Sequence, residues 1–189
     1  GRVPRNGLPQ TMEAIKDRMD WPRPSQEGHG VGLAVCQWRS GSGPSTASIS
    51  INEDGALSLL TGSVDITGTD TVLAQIAAVV LGVDMQQVIV ARRDTDTAPF
   101  TGPSGGSRIT YSQGKAVQMA AEDARGKLIA LAAERLQAPA EVLACAGGRV
   151  YIMDNPERGY GLGELARLSN TSKAGPIMGT AALSSMPFA

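Results

Sequence analysis

The feature that most constrains the fold is a long helical pattern in the second half of the chain. Residues recur at helical spacing from Ile109 to about Leu136, which is typical of one continuous helix. The positions that keep this spacing are Val117, Ala121, Ala124, Leu128, Leu131 and Arg135 or Leu136. Most of the charged residues between them fall on the other side, so we expect one dominant helix with a buried face.

The sequence before this helix predicts a β-hairpin. Ala47, Ile49 and Ile51 alternate with polar residues, which is typical of a half-buried strand. Asp54-Gly55 is a strong turn signal, because both residues tolerate a positive φ. The strand from Leu57 to Thr61 is then expected to run back antiparallel to the first.

A buried helix and a further strand are predicted next. From Val72 to Leu81 the residues are apolar on almost every side, which indicates a helix that is buried on most faces. Gly82 is expected to end this helix, and Thr69 or Asp70 to be its N-cap. The short apolar run at residues 88–91 predicts a strand.

The N-terminal part of the chain predicts a helix and a strand. Leu8, Met12, Ile15 and Met19 share one helical face. The prolines in the segment Trp21-Pro22-Arg23-Pro24 are expected to end that helix. The apolar run from Leu33 to Trp38 is interpreted as a buried strand.

The C-terminal part predicts a second hairpin and a short helix. Residues 142–144 and 149–153 are expected to pair across Gly147-Gly148, and Asp154-Asn155-Pro156 to close the hairpin. A short amphipathic helix is then predicted from about Leu162 to Ser169.

These elements together indicate an α+β fold. We expect an antiparallel or mixed sheet with hairpins covered by helices, and one long central helix. A chain of 189 residues suits one well-buried domain, so residues 1–189 are expected to form a single domain. Neither end looks like a natural terminus, so the chain is interpreted as a fragment of a longer subunit, with irregular ends at residues 1–7 and 176–189.

Composition excludes several classes of function. The chain has 17 basic and 18 acidic residues and only 4% aromatic residues, so a nucleic-acid-binding face is not expected. It contains no apolar run long enough to span a membrane and no secretory signal, which favours a cytoplasmic location. Cys36 and Cys145 lack the spacing of a zinc site or a disulfide framework and are interpreted as buried core residues.

The best candidate for a binding site is the loop of residues 93–108, which is rich in glycine and hydroxyl groups. Glycines let backbone N–H groups approach an anion, the hydroxyls of Ser104 and Ser107 add donors, and Arg108 adds a planar cation just before a helix. These are the parts of a phosphate cradle at a helix N-terminus. A plain surface loop is the alternative interpretation. Asp94 and Asp96 favour local turns between side chain and backbone.

Several motifs, taken in order, resemble the molybdenum-binding subunit of the xanthine dehydrogenase and aldehyde oxidase family, and carbon monoxide dehydrogenase large chains are similar. The resemblance covers about residues 8–180. The motifs are Gly30-Val31-Gly32-Leu33-Ala34, the hairpin at Asp54-Gly55, Thr61-Gly62-Ser63-Val64-Asp65, Thr71-Val72-Leu73-Ala74-Gln75-Ile76-Ala77-Ala78, Leu81-Gly82-Val83, Asp94-Thr95-Asp96-Thr97 and Gly106-Ser107-Arg108.

This resemblance implies a molybdenum hydroxylase, which inserts an oxygen derived from water into a C–H bond of an aldehyde or an aza-aromatic ring. The implied cofactor is molybdenum-molybdopterin in its cytosine dinucleotide form. Electrons would leave to iron–sulfur clusters and FAD on partner domains or subunits. The implied partners are the rest of the same large subunit, an iron–sulfur subunit and an FAD subunit in an oligomer, and the fragment alone is expected to be inactive.

The resemblance also implies the residues that meet the cofactor. The residues expected to lie against its phosphate end are Ser104, Gly105, Gly106, Ser107 and Arg108. Most of the family has Gly-Gln-Gly before the buried helix, and its glutamine points at the metal. Here Thr67 replaces the glutamine and Gly68 matches the second glycine. We therefore expect the cofactor to be approached by Thr67, Gly68 and Thr69, since a helix N-terminus rich in hydroxyl groups favours an anion. Whether Thr67 contacts the metal is left open.

No catalytic residue and no metal ligand is expected in this chain. Glu164 lies in Gly161-Leu162-Gly163-Glu164, which has the same pattern as the Gly-x-Gly-Glu motif of the family's catalytic base. In the family that motif occurs far downstream, so the base is expected outside this chain, and Glu164 is interpreted as stabilising a helix N-terminus. Two other functions stay open: a non-catalytic homologue that acts as a binding or assembly module, and a small domain that binds a phosphate ligand.

Overall fold

A computed structural model describes residues 7–20, 27–36, 38, 41–91, 94–172 and 174–184. The chain divides into two compact units, residues 1–39 with 187–189, and residues 40–186. The larger unit contains both sheets and the long helix.

The smaller unit contains helix α1, Leu8–Arg18, which confirms the predicted N-terminal helix. A proline lies in its first turn, where the missing N–H has no helical partner to lose. The predicted strand from Leu33 to Trp38 is wrong for the residues that are described, because they adopt no strand and are exposed. A strand needs a neighbour for its backbone groups, and none of the described residues of this unit forms one. The prolines expected to end α1 lie outside the described residues.

The larger unit is built on a four-stranded sheet. Its strands are β1 (Ser45–Ile51), β2 (Leu57–Thr61), β3 (Val88–Val90) and, from the far end of the chain, β7 (Met178–Leu183). The strand order is β3-β2-β1-β7. β1 pairs antiparallel with β2 and with β7, whereas β2 and β3 are parallel. The predicted hairpin and the strand at residues 88–91 are therefore confirmed.

Two helices cover one face of this sheet. Helix α2, Thr69–Leu81, connects β2 to β3. The long helix begins as a π-helical turn, Ile109–Gln113, and continues as α3, Gly114–Leu136. Its buried face is rich in alanine, and this lets the helix approach the sheet closely. The buried alanines are Ala116, Ala120, Ala121, Ala124 and Ala132.

Three smaller strands and a helix complete the unit. The strands are β4 (Leu143–Ala146), β5 (Arg149–Ile152) and β6 (Asn155–Gly161), which form an antiparallel sheet, and the helix is α4 (Leu162–Asn170). The α+β prediction is confirmed, as are the hairpin at Gly147-Gly148 and the last helix. Strand β6 was not predicted, because its sequence has no alternating pattern. It contains Gly159, where a Cβ would lie 2.5 Å from the Cβ of Tyr151, so only glycine fits there.

Two further predictions about boundaries need correction. Residues 176–189 were expected to be irregular, but they include strand β7. The N-cap of α2 is Gly68, and not Thr69 or Asp70. Gly68 has a left-handed φ of 82°, and Thr69 is already the first helical residue.

Candidate functional site

The long helix and α2 run in the same direction across the sheet. Gln113 Nε2 donates to the carbonyl of Thr46 at 2.7 Å, at the start of β1. Further along the long helix, Ala120 and Ala124 lie against Gly179, which pairs with Ile49 of β1. The long helix is therefore parallel to β1.

Helix α2 has the same direction because it connects two parallel strands. It returns from the end of β2 to the start of β3, so it runs opposite to β2 and therefore parallel to β1. The two helix N-termini consequently lie at the same edge of the sheet, where β2 and β3 end. Residues 67–69 lie at the start of α2 and residues 104–108 directly precede the long helix, so the fold places both predicted segments at one edge.

The first segment, residues 104–107, has an open and strained backbone. Ser104, Gly105 and Ser107 are exposed. Gly106 and Ser107 have left-handed φ values of 58° and 56°. A non-glycine residue in this region costs about 1–3 kcal/mol, and such residues cluster at ligand-binding sites. A Cβ on Gly105 would meet nothing within 4 Å, so a ligand can approach this backbone closely.

Arg108 lies behind this loop and is only 5% exposed. Its Nη1 donates to the carbonyls of Gly102 at 2.6 Å and Pro103 at 3.0 Å. Its Nη2 donates to the carbonyl of Pro44 at 2.8 Å and to Ser45 Oγ at 3.0 Å. The guanidinium thus bonds groups of its own chain on two segments.

The second segment, residues 67–69, is also strained. Thr67 and Gly68 have φ values of 58° and 82°, and a β-branched residue rarely adopts this conformation. The hydroxyls of Thr67 and Thr69 both donate to the carbonyl of Ile66, at 2.7 and 2.9 Å. The Thr67 hydroxyl is therefore directed at the backbone carbonyl of Ile66. The N-cap residue Gly68 has no side chain that could cap α2, and the N–H of Asp70 in the first turn donates to Asp65 Oδ1 at 3.2 Å.

A cleft of about 870 Å³ opens at the same edge of the sheet. It lies where the parallel strands β2 and β3 end, the usual position of a ligand crevice in an α/β unit. Gly62 is required there, because a Cβ would collide with the carbonyl oxygen of Pro99. The lining residues are Gly62, Ser63, Val64, Asp65, Asp70, Val90, Ala91, Asp94, Thr95, Ala98, Pro99, Phe100 and Thr101.

Sequence reasoning missed this cleft. The signal that would have found it is the parallel pairing of β2 with β3, which puts residues 62–65 beside residue 91 and residues 94–101. The turn predicted at Asp94 and Asp96 is present, with the Asp96 N–H donating to Asp94 Oδ1 at 2.9 Å.

The remaining candidate residues have structural surroundings. Glu164 is exposed in the first turn of α4. Cys145 is buried as predicted, with Sγ 3.3 Å from the carbonyl of Leu81, and burial raises the pKa of its thiol. Cys36 is exposed, so its assignment to the core is wrong. In the part of the chain that the structure describes, no three His, Cys, Asp or Glu residues are placed to hold a metal ion, and no helix is long and apolar enough to cross a membrane.

The chain is similar in sequence to large subunits of molybdenum enzymes. The putative xanthine dehydrogenase molybdenum-binding subunit XdhA of Escherichia coli K12 is 30% identical over 171 residues, which cover 82% of this chain and 23% of that protein. The carbon monoxide dehydrogenase large chain of Afipia carboxidovorans is 32% identical over 105 residues, which cover 56% of this chain and 13% of that protein. The chain thus spans less than a quarter of the length of these relatives.

Solved structures show the same fold. Quinoline 2-oxidoreductase from Pseudomonas putida 86 matches with a TM-score of 0.65 and 26% identity, over 75% of this chain and 19% of that one. Reconstituted CO dehydrogenase from Oligotropha carboxidovorans matches with a TM-score of 0.66 and 28% identity, over 76% and 18%. The molybdopterin cofactor-binding domain family matches residues 10–186. The chain therefore belongs to the molybdopterin cofactor-binding domain family.

Proposed function

We propose that this chain forms one wall of the cofactor site in the large subunit of a molybdenum hydroxylase that acts on aldehydes or aza-aromatic substrates. In this proposal, residues 104–107 contact the phosphate end of the molybdopterin, and residues 67–69 approach the cofactor at the start of α2. The observation that carries the proposal is the placement of both segments at the N-termini of two parallel helices at one edge of the sheet.

The groups present at this edge fit an anionic cofactor. Helix N-termini carry partial positive charge and unpaired N–H groups, so they bind phosphate well. Gly68 and Gly105 both face open space, because a Cβ on either would meet nothing within 4 Å. The exposed residues Ser104 and Ser107 add hydroxyl donors beside Gly105. The long helix also starts with a π-helical turn, a feature frequent at functional sites.

The bound molybdenum cofactor supplies the redox chemistry of the reaction. The residues of this chain bind and orient it. They offer backbone N–H groups, hydroxyl groups and helix dipoles to the phosphate end. No residue of the chain is proposed to move a proton in the reaction, and the general base is proposed to lie downstream in the full-length subunit.

We further propose the cytosine dinucleotide form of the cofactor, with iron–sulfur clusters and FAD on partner subunits. The names of two relatives support an assembly of several subunits: the nicotine 6-hydroxylase large subunit of Paenarthrobacter nicotinovorans and the carbon monoxide dehydrogenase large chain. In this arrangement the chain contacts the rest of its own subunit, and electrons pass to the partners.

The substitution Gly105→Val in the full-length subunit tests the phosphate contact. The valine side chain would fill open space, so folding should be unaffected, but it would block the approach of the phosphate to the backbone. We expect the molybdenum content per subunit to fall about tenfold, the effect of losing one or two hydrogen bonds to a charged group. The measurement is elemental analysis of the purified enzyme.

Gly126→Val is the matched control, because Gly126 is exposed and its Cβ would also meet nothing within 4 Å. It should keep the wild-type molybdenum content. If Gly105→Val also kept it, with an unchanged Tm, residues 104–107 would not contact the phosphate.

A further inference from the structure

We propose that Arg108 is a positioning residue and not a ligand of the anion. Its guanidinium fixes the path of residues 102–107, so that their backbone N–H groups and hydroxyls are presented to the cofactor. This inference rests on the proposed function and changes the role that the sequence suggests for the arginine.

The hydrogen bonds of Arg108 leave no exposed donor for a phosphate. Each terminal nitrogen carries two hydrogens, and each donates two hydrogen bonds within the protein: Nη1 to Gly102 and Pro103, Nη2 to Pro44 and Ser45. Nε is the remaining donor. It is buried, and no acceptor among the described residues lies within hydrogen-bond distance of it. A phosphate would have to displace one of these four acceptors to reach Nη1 or Nη2, and Nε is closed off from solvent.

Three glycines pack closely against this side chain, where any larger residue would crowd it. A Cβ on Gly43 would lie 3.0 Å from Arg108 Nε and 3.1 Å from Nη2. A Cβ on Gly102 would lie 3.1 Å from Nη1, and one on Gly41 would lie 3.1 Å from the arginine Cβ. The segment Gly41-Ser42-Gly43-Pro44 is therefore needed for the arginine to fit, which gives a physical role to a glycine-rich stretch far away in sequence.

The same two segments are joined by further bonds. The carbonyl of Pro44 accepts from the Gly102 N–H at 3.1 Å as well as from Arg108. The Gly43 N–H donates to Ser112 Oγ at 3.3 Å. Thr101 Oγ1 donates to Gln113 Oε1 at 2.9 Å. These hydrogen bonds hold residues 101–107 and residues 43–44 against the first turns of the long helix. Arg108 provides the charged group among them.

A ligand role and a positioning role predict different results for Arg108→Lys. Lysine keeps the positive charge, but one ammonium cannot reproduce a planar fork that reaches four acceptors. If the charge bound the phosphate, lysine would largely preserve binding. If the guanidinium shapes the loop, lysine should not preserve binding. Gly43→Ala separates the roles further, because it crowds the guanidinium and leaves Arg108 in place.

The experiment uses the full-length subunit with its partners and compares Arg108→Lys, Gly43→Ala and the control Gly126→Ala. Molybdenum content is measured on the loaded enzyme. Hydrogen exchange is measured on the cofactor-free protein at the amides of Gly102 and Arg108, which donate to the carbonyls of Pro44 and Gly105. We expect both test variants to exchange these amides about tenfold faster and to hold about tenfold less molybdenum, as the loss of one to two hydrogen bonds implies, while the control matches the wild type.

Three outcomes would overturn the inference. The first is wild-type molybdenum content in Arg108→Lys. The second is wild-type exchange at the amides of Gly102 and Arg108 in Gly43→Ala. The third is faster exchange spread evenly over residues 40–186 with a lowered Tm, which is what a merely stabilising arginine would give. The exchange data come from cofactor-free protein, so they judge the role of Arg108 even if Gly105→Val shows that the proposed function is wrong.

Discussion

Asp123 links the long helix to the edge strand of the larger sheet. Its Oδ2 accepts from Lys127 Nζ at 2.8 Å and from the Thr180 N–H at 3.0 Å. Lys127 also donates to the carbonyl of Met178 at 2.7 Å. The hydrogen bond from Lys127, and then that from the Thr180 N–H, hold the pKa of the Asp123 carboxyl below its usual value. One ion pair therefore satisfies two backbone groups of β7.

The lowered pKa gives a testable dependence of stability on pH. The folded state favours the ionised Asp123 carboxylate, which therefore contributes to the free energy of unfolding. This contribution is complete above the pKa of the unfolded state, near 3.8, and is lost as the pH falls through the folded pKa. Asp123→Asn should lower the free energy of unfolding by about 0.5–1 kcal/mol at pH 7, because the pair is partly exposed. Urea unfolding at pH 7 and at pH 3 measures this.

The difference between Asp123→Asn and the wild type should shrink at pH 3. Glu134→Gln, an exposed acid on the same helix, is the control and should change stability little at either pH. If Asp123→Asn lowered the free energy of unfolding equally at both pH values, the carboxylate charge would contribute nothing to stability.

At the scale of elements, the contact between β7 and α3 depends on small residues. A Cβ on Gly179 would collide with the carbonyl oxygen of Ala120 and would lie 2.6 Å from the nitrogen of Ala124. The strand therefore lies almost directly on the helix backbone. Because the helix also covers β1, this contact helps to fix the position of the helix N-terminus.

Gly179→Ala should consequently be strongly destabilising. Overpacking of a tight contact costs about 1–3 kcal/mol and occasionally more, and we expect about 3 kcal/mol here, since these two neighbours are backbone atoms that cannot rotate away. Chemical unfolding of the purified protein gives this value. Gly126→Ala, in open space on the long helix, should be neutral or stabilising by up to about 1 kcal/mol. Equal stabilities of the two variants would contradict the packing described for β7.

Which elements the sequence predicts depends on the source of their stability. β1, β2, α2 and the long helix carry strong apolar periodicity, and each forms close to its predicted bounds. β6 and β7 carry glycine and alanine where another element approaches, so their sequences lack the period of two. They are strands because of tertiary contacts that no local pattern shows.

The place of the two candidate segments in the fold was predictable, but the contacts of each residue were not. Glycines and hydroxyls before a helix indicate a phosphate site, and both segments do lie at helix N-termini. The direction of the Arg108 side chain could not be predicted, because it depends on Gly43 and Pro44, more than sixty residues earlier. The cleft was missed because parallel pairing of β2 and β3 is a long-range contact.

At the scale of the whole molecule, the chain is one part of a cofactor site. Its relatives are several times longer, and the two helix N-termini form one open edge of the sheet rather than an enclosed cavity. We therefore expect the remaining walls of the site, the general base and the electron-transfer partners to come from the rest of the full-length enzyme.

The most direct test of this account is molybdenum and nucleotide analysis of the full-length subunit, purified with its co-expressed partners. The account predicts nearly one molybdenum per subunit and release of cytidine monophosphate after acid hydrolysis. The absence of both, from cells that load a known molybdenum hydroxylase, would contradict it.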